Sequence, residues 1–111
     1  MRKIIAIAGG LLAGILCAQN PAGNAANGKR LYEQFGCYNC HGRQGQGSTA
    51  GPRIGPRPMA AAALIAYVRR PSGQMPPFTD KVISDAQLND IRAFLAAVAE
   101  PGKEPPPLLR Q

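Results

Sequence analysis

Apolar side chains recur at helical spacing in three stretches of the chain, and these stretches are separated by segments rich in Gly and Pro. The first stretch covers residues 24–35 and carries Leu31 and Tyr32 on one side of a predicted helix. The second covers residues 60–70 and is predicted to end before Pro71, because the residue that precedes a proline disfavours helical backbone.

The third stretch gives the clearest helix prediction. Ser84 is a favourable N-cap residue, and Gln87 stands at the third helical position, so that Ser84-Asp85-Ala86-Gln87 predicts a capping box. The apolar stripe that follows consists of Leu88, Ile91, Phe94, Leu95 and Val98. Pro101-Gly102 is predicted to end this helix.

The segments between the helices predict loops rather than strands. Residues 42–58 and 71–81 have the composition of loops, and residues 42–58 show no repeat and no strand-like alternation. Gly28 lies four residues before Tyr32 on the same helix face, and a glycine within a helix is costly unless another helix approaches closely. We therefore predict an all-α fold of about three to four helices with long irregular loops.

One short segment contains residue types at a spacing that indicates a particular kind of site. Cys37 and Cys40 are separated by two residues, and His41 follows directly. This spacing is typical of covalent attachment of c-type haem, in which each thiol forms a thioether with a haem vinyl group. The neighbouring imidazole then reaches the iron as an axial ligand.

Two other chemistries fit parts of this segment. A redox disulfide between Cys37 and Cys40 would be expected in a thioredoxin-like βαβ setting, and no strand-like run flanks the segment. A structural zinc site needs four ligands, but no further Cys or His follows His41. The small domain of 111 residues, without Trp and with 5% aromatic residues, also favours a haem that fills its core.

The N-terminal region predicts a secretory signal. Positive charge in residues 1–3 is followed by an apolar run over residues 4–16, which is shorter than the roughly 20 residues that span a bilayer. Residues 1–25 are assigned to the signal, with cleavage after Ala18 or Ala25. Lipidation of Cys17 is the alternative, and it would tether the chain to a membrane. The chain is therefore expected in the periplasm or exported.

The sixth iron ligand has few candidates. His41 is the only histidine, so two histidines cannot bind the iron. Met75 lies in a Pro-rich loop between two helices, and Met59 lies between Pro58 and the start of a helix. Both carry a thioether that can bind haem iron. Met75 is the stronger candidate of the two, but taken alone it is better explained as a filler of an apolar gap, a common role of methionine.

In combination these features resemble class I cytochrome c over about residues 24–99. The matching features are Gly28 with Leu31-Tyr32, Cys37-Tyr38-Asn39-Cys40-His41-Gly42, Gly51-Pro52, Val68-Arg69-Arg70-Pro71, Gly73-Gln74-Met75-Pro76, and Asp90-Ile91-Arg92-Ala93-Phe94-Leu95. The resemblance implies a small cytochrome c fold wrapped around one haem c, which is bound covalently through Cys37 and Cys40.

The resemblance also implies roles for individual residues. His41 and Met75 would be the axial ligands. Gly28 and Tyr32 would pack across Phe94 where the terminal helices cross. The Pro52 carbonyl would accept a hydrogen bond from His41 Nδ1, which raises the basicity of the ligand.

The groups that hold the haem propionates are less well defined. The candidates are Tyr67, Arg53 and Arg57, and each arginine is equally well explained as a solvated surface charge. The loop between His41 and the second helix is short, so the haem edge is expected to be exposed.

The charge balance bears on partners. Without residues 1–18, 11 Lys and Arg remain against 6 Asp and Glu, a formal +5. This excess favours redox proteins with acidic docking surfaces, or anionic membrane, although it could equally serve solubility. Nucleic acid is disfavoured, because the chain is expected to be exported and carries no nucleic-acid-binding motif. A membrane association is expected only if Cys17 is lipidated or the signal is uncleaved.

The predicted organisation is a signal over residues 1–25, a cytochrome c domain over residues 26–100 and a Pro-rich flexible tail over residues 101–111. The predicted function is that of an exported monohaem electron carrier, a monomer or a subunit of a complex, and not an enzyme. One alternative is the dedicated haem subunit of a larger periplasmic dehydrogenase. A gas-binding sensor or peroxidase-like enzyme is less favoured, because no distal histidine is present.

Overall fold

The computed structural model describes residues 22–100, which contain four helices and no strand. The helices are α1 (Ala25–Gln34), α2 (Tyr38–His41), α3 (Ala61–Arg69) and α4 (Asp85–Ala97). The predicted all-α fold is confirmed, and α1, α3 and α4 are the three helices that the apolar pattern predicted. No helix in this part of the chain has the length and apolarity needed to cross a membrane. Residues 1–21 and the predicted tail at 101–111 lie outside the described residues.

The crossing of α1 and α4 forms the centre of the fold. Gly28 is buried where the two helices meet, and a Cβ atom at this position would lie only 1.9 Å from the Asp90 carbonyl oxygen. The missing side chain therefore allows one backbone to touch the other. One turn further along α1, the rings of Tyr32 and Phe94 pack in a tilted arrangement with centroids 5.3 Å apart. The predicted contact of Gly28 and Tyr32 with α4 is confirmed.

The start of α1 is also fixed to α4. The Asn24 side chain accepts a hydrogen bond from the Asn27 N–H at 2.9 Å and caps the helix. The Asp90 carboxylate accepts from the Asn24 N–H at 2.7 Å and from Asn27 Nδ2 at 2.8 Å. Asn24 is therefore bonded to both helices, and Ala25 is the first residue of α1, although both lie within the predicted signal over residues 1–25.

The predicted capping box of α4 is present. The Gln87 N–H donates to Ser84 Oγ at 3.1 Å, and the Ser84 N–H donates to Gln87 Oε1 at 2.9 Å. The helix ends at Ala97, earlier than the predicted stop at Pro101-Gly102, because Val98 adopts an extended conformation. Val98 is partly buried and packs against the hydrophobic core, so its apolar side chain serves packing beyond the end of the helix.

The apolar core lies between α1, α4 and the turn before α4. Its buried side chains are Leu31, Tyr32, Ile83, Leu88, Ile91, Phe94 and Leu95. Helix α3 packs against α4 but has no fully buried residue. Leu64, Ile65 and Val68 of α3 contact the core while remaining partly exposed. Helix α3 therefore forms a wall whose apolar side chains are only partly covered by the polypeptide.

The loop over residues 42–58 is compact, as backbone hydrogen bonds show. The Gly45 carbonyl accepts from the Ile54 N–H at 2.8 Å and from the Gly55 N–H at 3.0 Å. Gly45 and Gly55 are both buried, and the Gly55–Pro56 peptide bond is cis. These contacts fold the loop back on itself and bring Pro52 beside the segment that carries the two cysteines.

Candidate cofactor site

Cys40 and His41 lie on a single helical turn, α2, and Cys37 is the N-cap residue of this turn, which the sequence pattern did not predict. Gly36 ends α1 with a φ of +73°, a conformation that favours glycine, and reverses the chain into this turn. The His41 N–H donates to the Cys37 carbonyl at 3.0 Å. Because residues four apart share a helix face, Cys37 and His41 face the same side. Cys37 is half-buried, Cys40 is exposed, and both are free thiols.

His41 is oriented by the loop that follows it. Its Nδ1 lies 2.8 Å from the Pro52 carbonyl oxygen, so the Nδ1–H donates to this carbonyl. This is the contact that the resemblance implies. The hydrogen bond fixes the tautomer and leaves Nε2 as the ring nitrogen that can bind a metal.

Ser48 holds this loop against the helical turn. Its hydroxyl donates to the Cys40 carbonyl at 2.6 Å and accepts from the Ala50 N–H at 3.0 Å. The Ser48 N–H donates to the Gly51 carbonyl at 2.9 Å, which closes a tight turn just before Pro52. Ser48 was not predicted from the sequence, because a serine in a Gly-rich loop gives no local signal of this contact.

A cavity of about 1130 Å³ opens beside the helical turn. Cys37, Cys40 and His41 line it together with Pro52. Its other walls are largely apolar and include Phe35, Ile54, Leu64, Val68, Phe78, Ile83, Leu88, Ile91 and Leu95. The volume exceeds the range of about 300–1,000 Å³ that is usual for small-molecule sites. The cavity can therefore take a large, flat apolar group such as a porphyrin.

Both candidate methionines line the same cavity. Met75 is half-buried, whereas Met59 is 52% exposed. The Met59 backbone is held by α4, because Arg92 Nε donates to the Met59 carbonyl at 2.8 Å. The fold thus brings two thioethers to the cavity that His41 lines, and the greater burial of Met75 favours it.

The loop that carries Met75, residues 71–77, is anchored at both ends. Tyr67 Oη forms a hydrogen bond with Ser72 Oγ at 3.0 Å. The Phe78 N–H donates to the Val68 carbonyl at 3.1 Å. The Phe78 ring meets the edge of the Phe35 ring, with centroids 6.3 Å apart. We call residues 71–77 the Met75 loop.

The three residues proposed for the propionates all line the cavity, in different environments. The Tyr67 hydroxyl is engaged with Ser72 of the Met75 loop. Arg57 forms an ion pair with Glu100 at 3.3 Å, and both side chains are highly exposed. Arg53 makes no ion pair with any residue that the structure describes. Arg53 is therefore the most available cation on the cavity wall.

Burial raises the pKa of two weakly acidic side chains beside the site. It raises the pKa of the Cys37 thiol to about 11, so that the thiol is protonated near neutral pH. Burial, with a smaller contribution from Cys37, raises the pKa of Tyr32 to about 12. The neutral Tyr32 hydroxyl donates to the Gly42 carbonyl at 2.7 Å, directly after His41. Within residues 22–100, no three His, Cys, Asp or Glu side chains form a cluster that could hold a metal ion.

A family model described as cytochrome c oxidase, cbb3-type, subunit III matches residues 23–95, about two thirds of the chain. The match spans α1, α2 and α3 and most of α4. The chain belongs to this family of c-type cytochromes. The predicted resemblance to class I cytochrome c is confirmed, and the protein is a haem-bearing electron-transfer protein. Neither the curated proteins nor the solved structures give a match.

The residues of this cytochrome fit the haem c that its family implies. Two free thiols, a histidine with Nδ1 already bonded and a thioether surround one largely apolar cavity. Within this set, the two thiols would attach the haem, and His41 and a methionine would be available to bind its iron. When bound, haem supplies one-electron redox chemistry at the iron. The polypeptide would hold the iron ligands and cover the haem faces with the apolar walls of the cavity.

Proposed function

We propose that this cytochrome is an exported carrier of single electrons with one haem c, held by Cys37 and Cys40 and ligated by His41 and Met75. The observation that carries the proposal is the His41–Pro52 hydrogen bond of 2.8 Å at the wall of a cavity that both methionines also line. A histidine fixed in this way and a thioether together suit stable ligation. Stable ligation favours electron transfer over reaction at the iron, so no substrate is chemically transformed.

The cofactor ligand is the first point to test. Replacing Met75 with alanine should remove the weak long-wavelength sulfur-to-iron band of the ferric protein. It should also lower the reduction potential, because methionine ligation raises it. We expect a decrease on the order of 0.1 V, a fraction of the roughly 0.8 V that axial ligands span. Absorption spectra and redox titration measure both changes.

Met59→Ala is the matched control, since Met59 lines the same cavity but is more exposed. It should keep the band and the potential of the parent protein. If Met59→Ala loses the band while Met75→Ala retains it, then Met59 is the ligand and the assignment is wrong.

The partner is proposed to be a redox protein with an acidic docking surface. Arg53 and Arg57 line the cavity, and Arg53 has no ion-pair partner among the described residues. Positive charge beside the site of electron exit would attract an anionic partner and raise the association rate. The proposal gives no role to nucleic acid.

Ferricyanide, an anionic oxidant, probes this charge directly. Its second-order rate with the ferrous protein should fall roughly tenfold or more between 0.01 and 1 M salt, as the screening length drops from about 30 to 3 Å. Arg53→Gln should reduce this salt dependence. Arg30→Gln should not, because Arg30 bonds to Asn27 and Gln34 on α1 and does not line the cavity. A rate that stays flat or rises with salt in the parent protein would contradict the role of the charge.

Export and the signal are part of the same proposal. Cleavage after Ala18 would retain Asn24, which caps α1 and donates to Asp90. Cleavage after Ala25 would remove both contacts. We therefore favour cleavage after Ala18.

A second candidate is a haem-bearing subunit of a larger redox complex, such as a periplasmic dehydrogenase. The family description favours a subunit role, because it names a subunit of an oxidase. The native mass of the protein, purified under mild conditions from its source, separates the two candidates. A free carrier elutes at the mass of a small monomer, whereas a subunit elutes with its complex.

A further inference from the structure

Phe78, the residue directly after the Met75 loop, has both backbone polar groups bound by the end of α3. Its N–H donates to the Val68 carbonyl at 3.1 Å, and its carbonyl accepts from Arg69 Nη1 at 3.0 Å. Val68 and Arg69, two consecutive residues of α3, thus bind both backbone polar groups of Phe78. Phe78 lies three residues after Met75, so these two hydrogen bonds fix the C-terminal end of the Met75 loop.

Arg69 also extends to α4. Its Nη2 contacts the Asp85 carboxylate in the first turn of that helix. The Arg69 side chain is only 19% exposed, whereas that of Asp85 is 66% exposed, so the pair is sheltered from water on the Arg69 side alone. Hydrogen bonds that involve charged groups are also stronger than neutral ones. The Arg69 guanidinium therefore connects the end of α3 to Phe78, directly after the Met75 loop, and to the start of α4.

A separate hydrogen bond fixes the N-terminal end of the Met75 loop. Tyr67 Oη bonds to Ser72, so the free span that carries Met75 is residues 73–77. This span includes Gly73, at which an added Cβ would meet nothing within 4 Å, so there is open space on that side of the backbone. The position of Met75 thus depends on the anchors at Ser72 and Phe78.

We propose that Arg69, held by Asp85, is a positioning residue that keeps Met75 on the wall of the cavity that His41 also lines, where its sulfur would be available to the haem iron. The inference rests on the proposed function, in which Met75 is the sixth ligand. Arg69 touches neither the cofactor nor the sulfur. It acts by keeping the closed form of the Met75 loop dominant, so its loss raises the fraction of molecules in which Met75 has moved away.

Imidazole binding to the ferric protein measures that fraction, because imidazole must displace Met75. Its apparent association constant is the intrinsic constant reduced by the small population of the open loop. Arg69→Gln removes a hydrogen bond from a charged donor and should raise this constant about tenfold, equal to ~1.4 kcal/mol. Arg69→Lys keeps the charge but cannot donate to Phe78 and Asp85 at once with two separate nitrogens. Its association constant for imidazole should lie between those of the parent protein and Arg69→Gln. Asp85→Asn should change the constant in the same direction.

Arg70→Gln is the matched control. It removes the same charge from the neighbouring position, where the side chain is exposed and makes no ion pair within the described residues. It should bind imidazole like the parent protein. In a Met75→Ala background no sulfur competes, so Arg69→Gln should there have no effect on imidazole binding.

The possible outcomes distinguish a failure of the role proposed for Arg69 from a failure of the proposed Met75 ligation. If the parent shows the sulfur-to-iron band but Arg69→Gln binds imidazole no better than Arg70→Gln, the role of Arg69 is wrong and the proposed function stands. If Arg69→Gln raises the constant equally with and without Met75, Arg69 only supports the fold, and the inference fails. If the parent lacks the band, the proposed ligation fails and the inference fails with it. Should Arg69→Gln not fold, Arg69→Lys and Asp85→Asn give the same tests.

Discussion

Without haem, the polypeptide should lose most of its helical structure. The cavity of about 1130 Å³ borders the core itself, since buried core residues such as Ile83, Leu88 and Ile91 are among its walls. Without haem, the largely apolar walls of this cavity would face water, and apolar surface in water costs roughly 25 cal/mol per Å² relative to burial. Because a typical domain is stable by only about 5–15 kcal/mol, this exposure is expected to unfold most of the helices.

The double variant Cys37→Ala/Cys40→Ala, stripped of any loosely bound haem, tests this expectation. Its far-UV circular dichroism should show little helix and no cooperative thermal transition. The parent protein carrying haem, measured in parallel, should show both. A haem-free chain that keeps the helix content of the parent and unfolds cooperatively would contradict the dependence of the fold on its cofactor.

Gly28→Ala should destabilise the protein strongly, although alanine normally favours a helix interior over glycine by about 1 kcal/mol. The added Cβ would lie 1.9 Å from the Asp90 carbonyl oxygen, and backbone cannot rotate out of the way as a side chain can. Helices α1 and α4 must therefore separate, which weakens the Tyr32–Phe94 contact. We expect a loss on the order of 3 kcal/mol in the free energy of unfolding.

Ala26→Gly is the matched control, because Ala26 is an exposed position of the same helix. It should destabilise by about 1 kcal/mol through helix propensity alone. Denaturant unfolding of the haem-containing proteins measures both changes. A neutral or stabilising effect of Gly28→Ala would show that the two helices do not meet at Gly28.

The local signals in the sequence predicted the helices well. The capping box at Ser84 and Gln87 depends on residues three apart, and the structure contains both of its hydrogen bonds. Gly28 was predicted to mark a close helix approach, because a glycine there is otherwise costly. The end of α4 was predicted too late, since Val98 continues the apolar spacing but packs in an extended conformation.

The contacts that hold the site could be predicted only in part. Cys37, Cys40 and His41 are adjacent in the chain, so their pattern is readable without a fold. The Pro52 contact came from the family resemblance. The hydrogen bond between Ser48 and Cys40 and the ion pair between Arg69 and Asp85 join residues 8 and 16 positions apart across loops. No propensity or spacing rule encodes such pairs, and they become visible only when the loops are placed.

The covalent attachment of one haem c through Cys37 and Cys40 is the proposal on which the others depend. Extraction of the purified protein with acidified acetone tests this attachment, because thioether bonds survive the extraction and coordination to iron does not. The colour should remain with the precipitated polypeptide, whose intact mass should exceed that of the mature chain by one haem. Haem that moves into the organic phase, with a polypeptide at its unmodified mass, would contradict this proposal.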